Sequence, residues 1–429
     1  MLKILVVNDV FPHINNRTTI LFKNIIPILS KKFEIKVYWL ITDDYGIRYK
    51  KTNPNYEVLF MSDFKNAIEV IEKVKPNIIY HLIGWHVVDY AFIIAKEFLK
   101  ISSVGYADDV EKNNYFDETT SKIKFIKEYI KQSIEFRKLN DNKNKSRAKN
   151  FIKKNLFLFN TIKTVKKNWL KTIIIFINFI RTNGGQHKND RYLKFNADLI
   201  LAENSRQIKS LVRWGLERER IVIVGDSTFD RPIIESNKPH LKLNDKINIL
   251  FITTNISGVQ GKSKWSKSKR NEMIKELAKK LGSTPEKISL TVKIHPTSEN
   301  YSEYKKILEP YQNVHLEQTQ DIVDLLVKSD LVITPNTTTA GVIALIMKKP
   351  IIIWNYFQVQ GDLFLKKGVA LECKTSSNLY ESVNTVKSFN LQNKKKIDTL
   401  VKEQVGEGNS AQRCVLELEK WLKNLNIEK

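Results

Sequence analysis

Three hydroxyl side chains stand in a row at Thr337, Thr338 and Thr339, behind Asn336 and ahead of the apolar run AGVIALIMKK. Hydroxyls at the start of a helix cap its first N–H groups, and with the helix dipole they also suit an anion such as phosphate. Two further stretches offer related chemistry. LTVKIHPTSEN, Leu290 to Asn300, brings His295, Pro296 and Thr297 to the end of an apolar alternation. Proline stops strands and histidine is common at sheet edges, so a plain strand end is one reading and a tip facing a ligand is the other. After INILFI come Thr253, Thr254, Asn255, Ser257 and Gly258, then Lys262, Lys264, Lys267 and Arg270. Small residues let backbone N–H groups approach an anion, and the cations supply charge. A fourth polar tip, Gln318-Thr319-Gln320-Asp321, follows VHLE. Capping explains any one of these; four ligand-type tips on one rim are harder to explain that way.

The first half of the chain carries acids and imidazoles at corresponding places. Asp9 and His13, Asp43 and Asp44, His81 with Trp85 and His86, and the pair Asp108-Asp109 each follow an apolar run. Adjacent carboxylates raise the pKa of one member of the pair. Solvated capping turns and satisfied structural histidines are the plain alternatives.

What must position these residues is an alternation of strands and helices that begins at once. KILVVND, EIKVYWLIT, EVLFMSD, NIIYHLIG, ISSVGYADD, ADLILAENS and RIVIVGD read as strands, with helical runs such as TTILFKNIIPILSKKF and VVDYAFIIAKEFLK between them. The N-terminal apolar run meets Asn8-Asp9 too soon for a signal peptide and reads as the first strand. This rhythm predicts a doubly wound parallel sheet. It restarts at INILFITTN and repeats through ISLTVKIHP, VHLEQ, DLVITPNTT and PIIIWNY. The organisation expected is a first α/β domain over 1–231, a proline-bearing linker over 232–246, a second α/β domain over 247–392, and a helical tail over 393–429 that packs back. At 429 residues, 42% hydrophobic, the chain has material for two such cores. Two doubly wound domains leave a cleft, with ligands outside the carboxyl ends of the strands.

One stretch breaks the pattern. Residues 110–190 read as a helical insertion, and between Ser121 and Asp190 stand 18 Lys and Arg against 4 Asp and Glu, more than half of the chain's net +25. Such an excess calls for nucleic acid, an anionic membrane or an acidic ligand. In FIKKNLFLFNTIKTVKKNWLKTIIIFINFI the lysines interleave with Leu, Ile, Phe and Trp169. The longest uncharged run, Thr172 to Ile180, is far short of the ~20 residues a spanning helix needs. A basic, aromatic-bearing segment of this kind suits the headgroup layer, with Lys166, Lys167, Trp169, Lys171 and Phe176 as contacts. A core helix with a solvated lysine face is the alternative, and no RNA-binding motif or zinc spacing supports nucleic acid. Cys373 and Cys414 form no disulfide framework or metal spacing and fit a reducing cytoplasm.

The two-domain plan, the stretch ADLILAENSRQIKSLVRWGLERERIVIVGDSTFD, the His295-Pro296 tip and SDLVITPNTTTAGVIALIMKKPIII together resemble the GT-B glycosyltransferases. The match is nearest to the capsule and teichoic-acid type: polysialyltransferases, Kdo transferases and CDP-glycerol glycerophosphotransferases. It covers most of the chain outside the insertion. The resemblance implies a GT-B fold of two Rossmann-like domains facing across a cleft. It also implies that His295, Pro296, Thr297, Asn336 and Thr337 to Thr339 bind the donor nucleotide's phosphates, with Thr254, Ser257, Gly258 and Lys262 assisting. An inverting transfer needs a carboxylate or imidazole to take the acceptor's proton, for which Asp108 or Asp109, or else His81, is expected. Two departures are plain. The second glutamate of a Glu-x7-Glu pair is absent near Ile343, and Asn15-Asn16 before Arg17 replaces the paired glycines of many relatives. No acidic pair of DxD type marks a second-half tip, so neither metal nor cofactor is required. The expected activity is transfer from a nucleotide-sugar to a lipid-linked or growing surface glycan, on the cytoplasmic face of the membrane. A UDP-sugar 2-epimerase of the same plan, and a non-catalytic membrane-bound scaffold, are the alternatives.

Overall fold

The structure is a computed structural model. It describes residues 1–8, 17–42, 56–83, 87–107, 142–183, 197–213, 216–239, 245–253, 267–295, 299–358, 360–405 and 408–425. The chain divides into two compact units, one of Met1–Thr228 with Asn409–Lys429, the other of Phe229–Gly408.

The first unit runs β1 (Leu2–Asn8), α1 (Arg17–Leu29), β2 (Ile35–Ile41), β3 (Tyr56–Phe60), α2 (Ala67–Val74), β4 (Ile78–Leu82), α3 (Val87–Leu99) and β5 (Ser102–Tyr106). It continues with α4 (Asn142–Lys166), α5 (Trp169–Asn183), β6 (Leu199–Ala202), α6 (Ser205–Arg213) and β7 (Ile221–Ile223). The strands form a parallel sheet ordered β3-β2-β1-β4-β5-β6-β7. Runs such as LKILVVN and IKVYWLI are nearly unbroken apolar because helices cover both faces. One face packs Trp39 and Tyr80 against Phe22 of α1, and the other packs Leu5 and Leu40 with Phe92 of α3 and Phe157 of α4.

The second unit runs α7 (Asp230–Ser236), β8 (Ile247–Ile252), α8 (Lys267–Leu281), β9 (Ile288–Lys293), α9 (Tyr301–Leu308), β10 (Val314–Glu317), α10 (Ile322–Lys328) and β11 (Leu331–Thr334). After these come α11 (Thr339–Ile346), β12 (Ile351–Trp354), α12 (Leu363–Lys367), β13 (Leu371–Cys373), α13 (Leu379–Gln392) and α14 (Lys394–Val405). Its parallel sheet is ordered β10-β9-β8-β11-β12-β13. Each sheet therefore starts in its middle, grows outward to one edge and then reverses, the doubly wound pattern that the alternation predicts. The last helix, α15 (Ser410–Asn424), returns to the first unit, where Cys414, Leu418 and Leu422 join the core around Trp39. Gly225 lets it approach: at φ +85° a Cβ there would lie 2.4 Å from Ser410 Oγ.

Two boundaries differ from expectation. The start of the stretch read as a linker, residues 232–236, belongs to the second unit's own helix α7, and Phe229 just before that helix lies in that unit's core. Pro232 falls in the helix's first turn, where proline displaces no intrahelical bond, so it did not mark a loop. The tail is also not one body. Ile397 and Leu400 of α14 pack in the second unit, and only α15 crosses to the first. Among the described residues, no helix is long and apolar enough to cross a membrane.

Candidate functional site

In the second sheet the order reverses between β8 and β11, which is where a doubly wound sheet opens a crevice at its carboxyl ends. On the β8 side of it, the tips of β8 and β9 meet at one carboxylate, and the tip of β10 reaches the backbone of the same residue. Glu299, 7% exposed, accepts the backbone N–H of His295 at 2.8 Å and the hydroxyl of Thr253 on Oε2, and the hydroxyl of Tyr304 on Oε1. Gln318 reinforces the arrangement, its side-chain amide donating to the carbonyls of Glu299 at 3.0 Å and His295 at 3.3 Å. The Lys293 ammonium donates to the Gln318 carbonyl. The guanidinium of buried Arg270 lies 4.8 Å from the centre of the Tyr304 ring and pairs with Glu303 at 3.0 Å.

Charge follows burial at this tip. Burial pushes the His295 imidazole below its ordinary pKa, with Glu299 opposing and Lys293 adding to the shift. Lys293 is lowered by the same desolvation, against the pull of Glu317 and Asp321. The Tyr304 phenol is raised, first by burial and then by the Glu299 carboxylate. At neutral pH His295 therefore presents an uncharged ring, able to donate one hydrogen bond.

Across the reversal, β11 leads to Asn336 and the three threonines, and these divide into separate tasks. Thr337 gives both donors to Asp362, its N–H at 2.6 Å and its hydroxyl at 2.8 Å, and accepts the Phe364 N–H at 3.1 Å. Thr338 caps α11 by accepting the Gly341 N–H at 3.0 Å, which leaves its own hydroxyl proton to donate. Thr339 is exposed at the helix's first position. Gly341 is tied to this packing, since a Cβ would sit 2.7 Å from the Phe364 ring. The side-chain oxygen of Asn336 is buried with no hydrogen-bond partner among the described residues.

His295 is thus brought together with Thr253, Glu299 and Gln318, while Thr337 turns to a structural carboxylate. Pro296, Thr297, Thr254, Ser257, Gly258 and Lys262 lie outside the described residues. Lys267 and Arg270, at the start of α8, are both paired with Glu303. In the first unit His81 ends β4 beside that sheet's own reversal. It is 1% exposed, with Nδ1 4.0 Å from Asp89 Oδ1. Asp108 and Asp109 lie outside the described residues. Among the described residues, no group of three or more His, Cys, Asp and Glu is placed to hold a metal ion.

Sequence reasoning passed over Glu299 and Asp362. Both had a signal. Glu299 stands immediately before Asn300, which caps α9, and Asp362 follows Gly361 directly ahead of LFLKK, where a helix N-cap belongs.

The described part of the basic insertion has one buried face and one exposed face. Leu158, Thr161 and Ile162 of α4 are fully buried, and Thr161 Oγ1 accepts the Ala67 N–H at 3.1 Å. Trp169, Leu170 and Ile174 of α5 stand 58%, 71% and 56% exposed, with Lys166, Lys167 and Lys171 exposed beside them. Phe176 turns inward, edge-on to Phe159 at 5.5 Å.

No protein-family model and no curated protein sequence matches the chain. Solved structures do. The chain is similar over 99% of its length to the whole of UDP-GlcNAc 2-epimerase from Neisseria meningitidis bound to UDP-GlcNAc, at 15% identity and a TM-score of 0.52. It is similar over 99% of its length to 98% of the calicheamicin glycosyltransferase CalG4, at 12% identity and 0.54. All of it aligns with 90% of a variant of the wall teichoic acid polymerase TagF, at 11% identity and 0.56. These likenesses, with the two sheet orders, define the fold as GT-B: two Rossmann-like domains in one chain.

Proposed function

We propose that the chain is a glycosyltransferase that moves a sugar from a nucleotide-activated donor onto a surface glycan or its lipid-linked precursor. The observation that carries this reading is the tip of β9. His295 is held by a buried carboxylate and is itself only partly buried, near the reversal where this fold class receives nucleotides. The imidazole N–H, the hydroxyls of Thr338 and Thr339 and the open N–H groups at the start of α11 would hold the donor's phosphates and stabilise the charge that builds on the leaving nucleotide. Thr337 and Glu299 would keep those donors in place. Asp108 or Asp109, following β5, would take the acceptor's proton. His81 is buried beside Asp89, so the base would be one of the two aspartates rather than the imidazole. The α4–α5 face would rest on the anionic inner leaflet of the membrane, where lipid-linked acceptors lie. The likeness to TagF and CalG4 supports a transferase on this fold.

The likeness to UDP-GlcNAc 2-epimerases favours a second reading, epimerisation of a UDP-sugar on the same fold. Calorimetric titration with CMP, CDP, UDP and GDP, on wild type and His295→Ala, tests the shared binding step. One nucleotide is expected to bind, and the variant to lose about tenfold in affinity. Absence of binding by every nucleotide removes both readings. Incubation with UDP-GlcNAc alone then separates them, since an epimerase needs no acceptor.

A further inference from the structure

The outward side of the first unit carries an apolar groove of about 350 Å³, large enough for part of a small ligand. Three helices line it: Ile94, Glu97 and Phe98 of α3, Val165 and Lys166 of α4, and Ile175 of α5. Phe98 is 48% exposed, so apolar surface continues out of the groove. No hydroxyl, amide or imidazole side chain lines it. Apart from Glu97 and Lys166 the described lining is hydrocarbon, which suits an apolar chain better than the backbone of a peptide or the hydroxyls of a sugar.

Charge supplies the other half of the ligand. Lys166 lines the groove, and Lys163, Lys167 and Lys171 stand exposed close by in sequence. None of the four makes an ion pair among the described residues. Glu97, the only acid among the described lining residues, lies 3.5 Å from Lys96, a cation it shares with Asp198 at 2.9 Å, so lysines outnumber acids around the groove. The surroundings thus favour an anion beside an apolar chain. The exposed Trp169, Leu170 and Ile174 belong to the same helix pair, so a bilayer reached by that face would put its chains within reach of the groove.

We infer that this groove binds a single hydrocarbon chain of an anionic membrane lipid, withdrawn from the leaflet on which the α4–α5 face lies. The inference rests on the membrane part of the proposed function and is independent of the nucleotide chemistry.

The test uses the full chain and lysophosphatidylglycerol below its micelle concentration, with binding followed by native mass spectrometry and calorimetry. Saturable one-to-one binding is expected. Val165→Trp, which fills the groove, should weaken it at least about tenfold. Lys166→Glu should weaken lysophosphatidylglycerol binding but leave lysophosphatidylcholine binding nearly unchanged, and as an exposed change it keeps the test sound if Val165→Trp misfolds. Leu170→Glu/Ile174→Glu should abolish sedimentation with vesicles of phosphatidylglycerol and phosphatidylcholine in equal parts while sparing binding of the soluble lysolipid. Vesicle binding by wild type without one-to-one lysolipid uptake overturns the groove but not the membrane face. No binding to either overturns both. Concentration-dependent dimerisation that Val165→Trp removes would identify a second copy of the chain as the occupant and overturn the inference.

Discussion

Glu299 is where the second unit's tip can be broken with the least change of shape. In Glu299→Gln the side chain keeps its volume, loses its charge and offers one oxygen where there were two. If that oxygen takes the place of Oε2, the His295 N–H and Thr253 hydroxyl keep an acceptor, and the Tyr304 hydroxyl must turn to accept from the new amide. Three hydrogen bonds to a charged acceptor, each contributing about 1.5–3 kcal/mol, then fall to the neutral range of about 0.5–1.5. Part of that loss is offset because a buried charge no longer has to be desolvated. The net cost expected is about 2 kcal/mol. In a unit of this size that lowers the thermal midpoint by roughly 4–8 °C. Glu299→Leu leaves the buried Tyr304 hydroxyl without its acceptor and the Thr253 hydroxyl with only the Lys293 carbonyl at 3.3 Å, and should cost about 4 kcal/mol. Calorimetric unfolding measures the first quantity, and nucleotide titration measures how far His295 has come loose, with about a tenfold loss of affinity expected. If Glu299→Gln unfolds within about a degree of wild type and binds nucleotide as tightly, the carboxylate does not organise this tip and the reasoning fails.

Asp362→Ala removes the cap of α12, where Asp362 accepts the Phe364 N–H at 2.9 Å, together with both bonds from Thr337; about 2–4 kcal/mol should be lost, read as a lower urea midpoint. His295 has a folded pKa below its unfolded value of about 6.5, so its contribution to stability is present above pH ~6.5 and is lost as pH falls through the folded value. His295→Gln should therefore flatten the urea midpoint between about pH 7 and pH 5 relative to wild type. A bound phosphate favours the protonated ring, so near pH 6 nucleotide binding should take up protons, seen as a dependence of the calorimetric heat on the buffer's ionisation enthalpy. Leu170→Glu/Ile174→Glu should leave the melting temperature unchanged within about a degree, because both side chains are more than half exposed.

Much of this was legible from the residues, for reasons that also explain what was not. Parallel strands buried on both faces must be written as apolar runs, so the two sheets could be read from the chain, and the reversal points followed once the order was known. Pro232 misled because a first-turn proline and a loop proline look alike in sequence. The insertion resisted a single reading because α4 and α5 share one composition while only α4 buries a full face. A charge count does not distinguish the lysines beside Leu158 from those beside Leu170; only packing does. Glu299 and Asp362 were overlooked for a related reason. An acid just before a helix reads as a cap, and nothing in its type or spacing says that it will be buried and shared with a strand tip.

That last point bears on how the tips divide their work. A hydroxyl or imidazole can serve a ligand only if something else fixes its backbone, since an unsupported polar loop loses in entropy what it gains on binding. Here two buried carboxylates supply the support. Glu299 takes the backbone N–H of His295, whose side chain is only partly buried. Asp362 takes both donors of Thr337 and leaves Thr338 and Thr339 at the helix start. Each tip therefore spends one residue on rigidity and keeps the next for contact. It follows that Thr337→Val and Thr338→Val, equal in size and chemistry, should differ in kind. The first removes the hydroxyl that bonds Asp362 at 2.8 Å and should lower the thermal midpoint with a smaller effect on nucleotide affinity per kcal/mol lost. The second loses a cap of about 1 kcal/mol and also a free donor, so its affinity should fall beyond what that destabilisation explains. Titrations and melts of the two variants side by side decide the matter, and equal ratios of affinity loss to stability loss would remove the distinction between them.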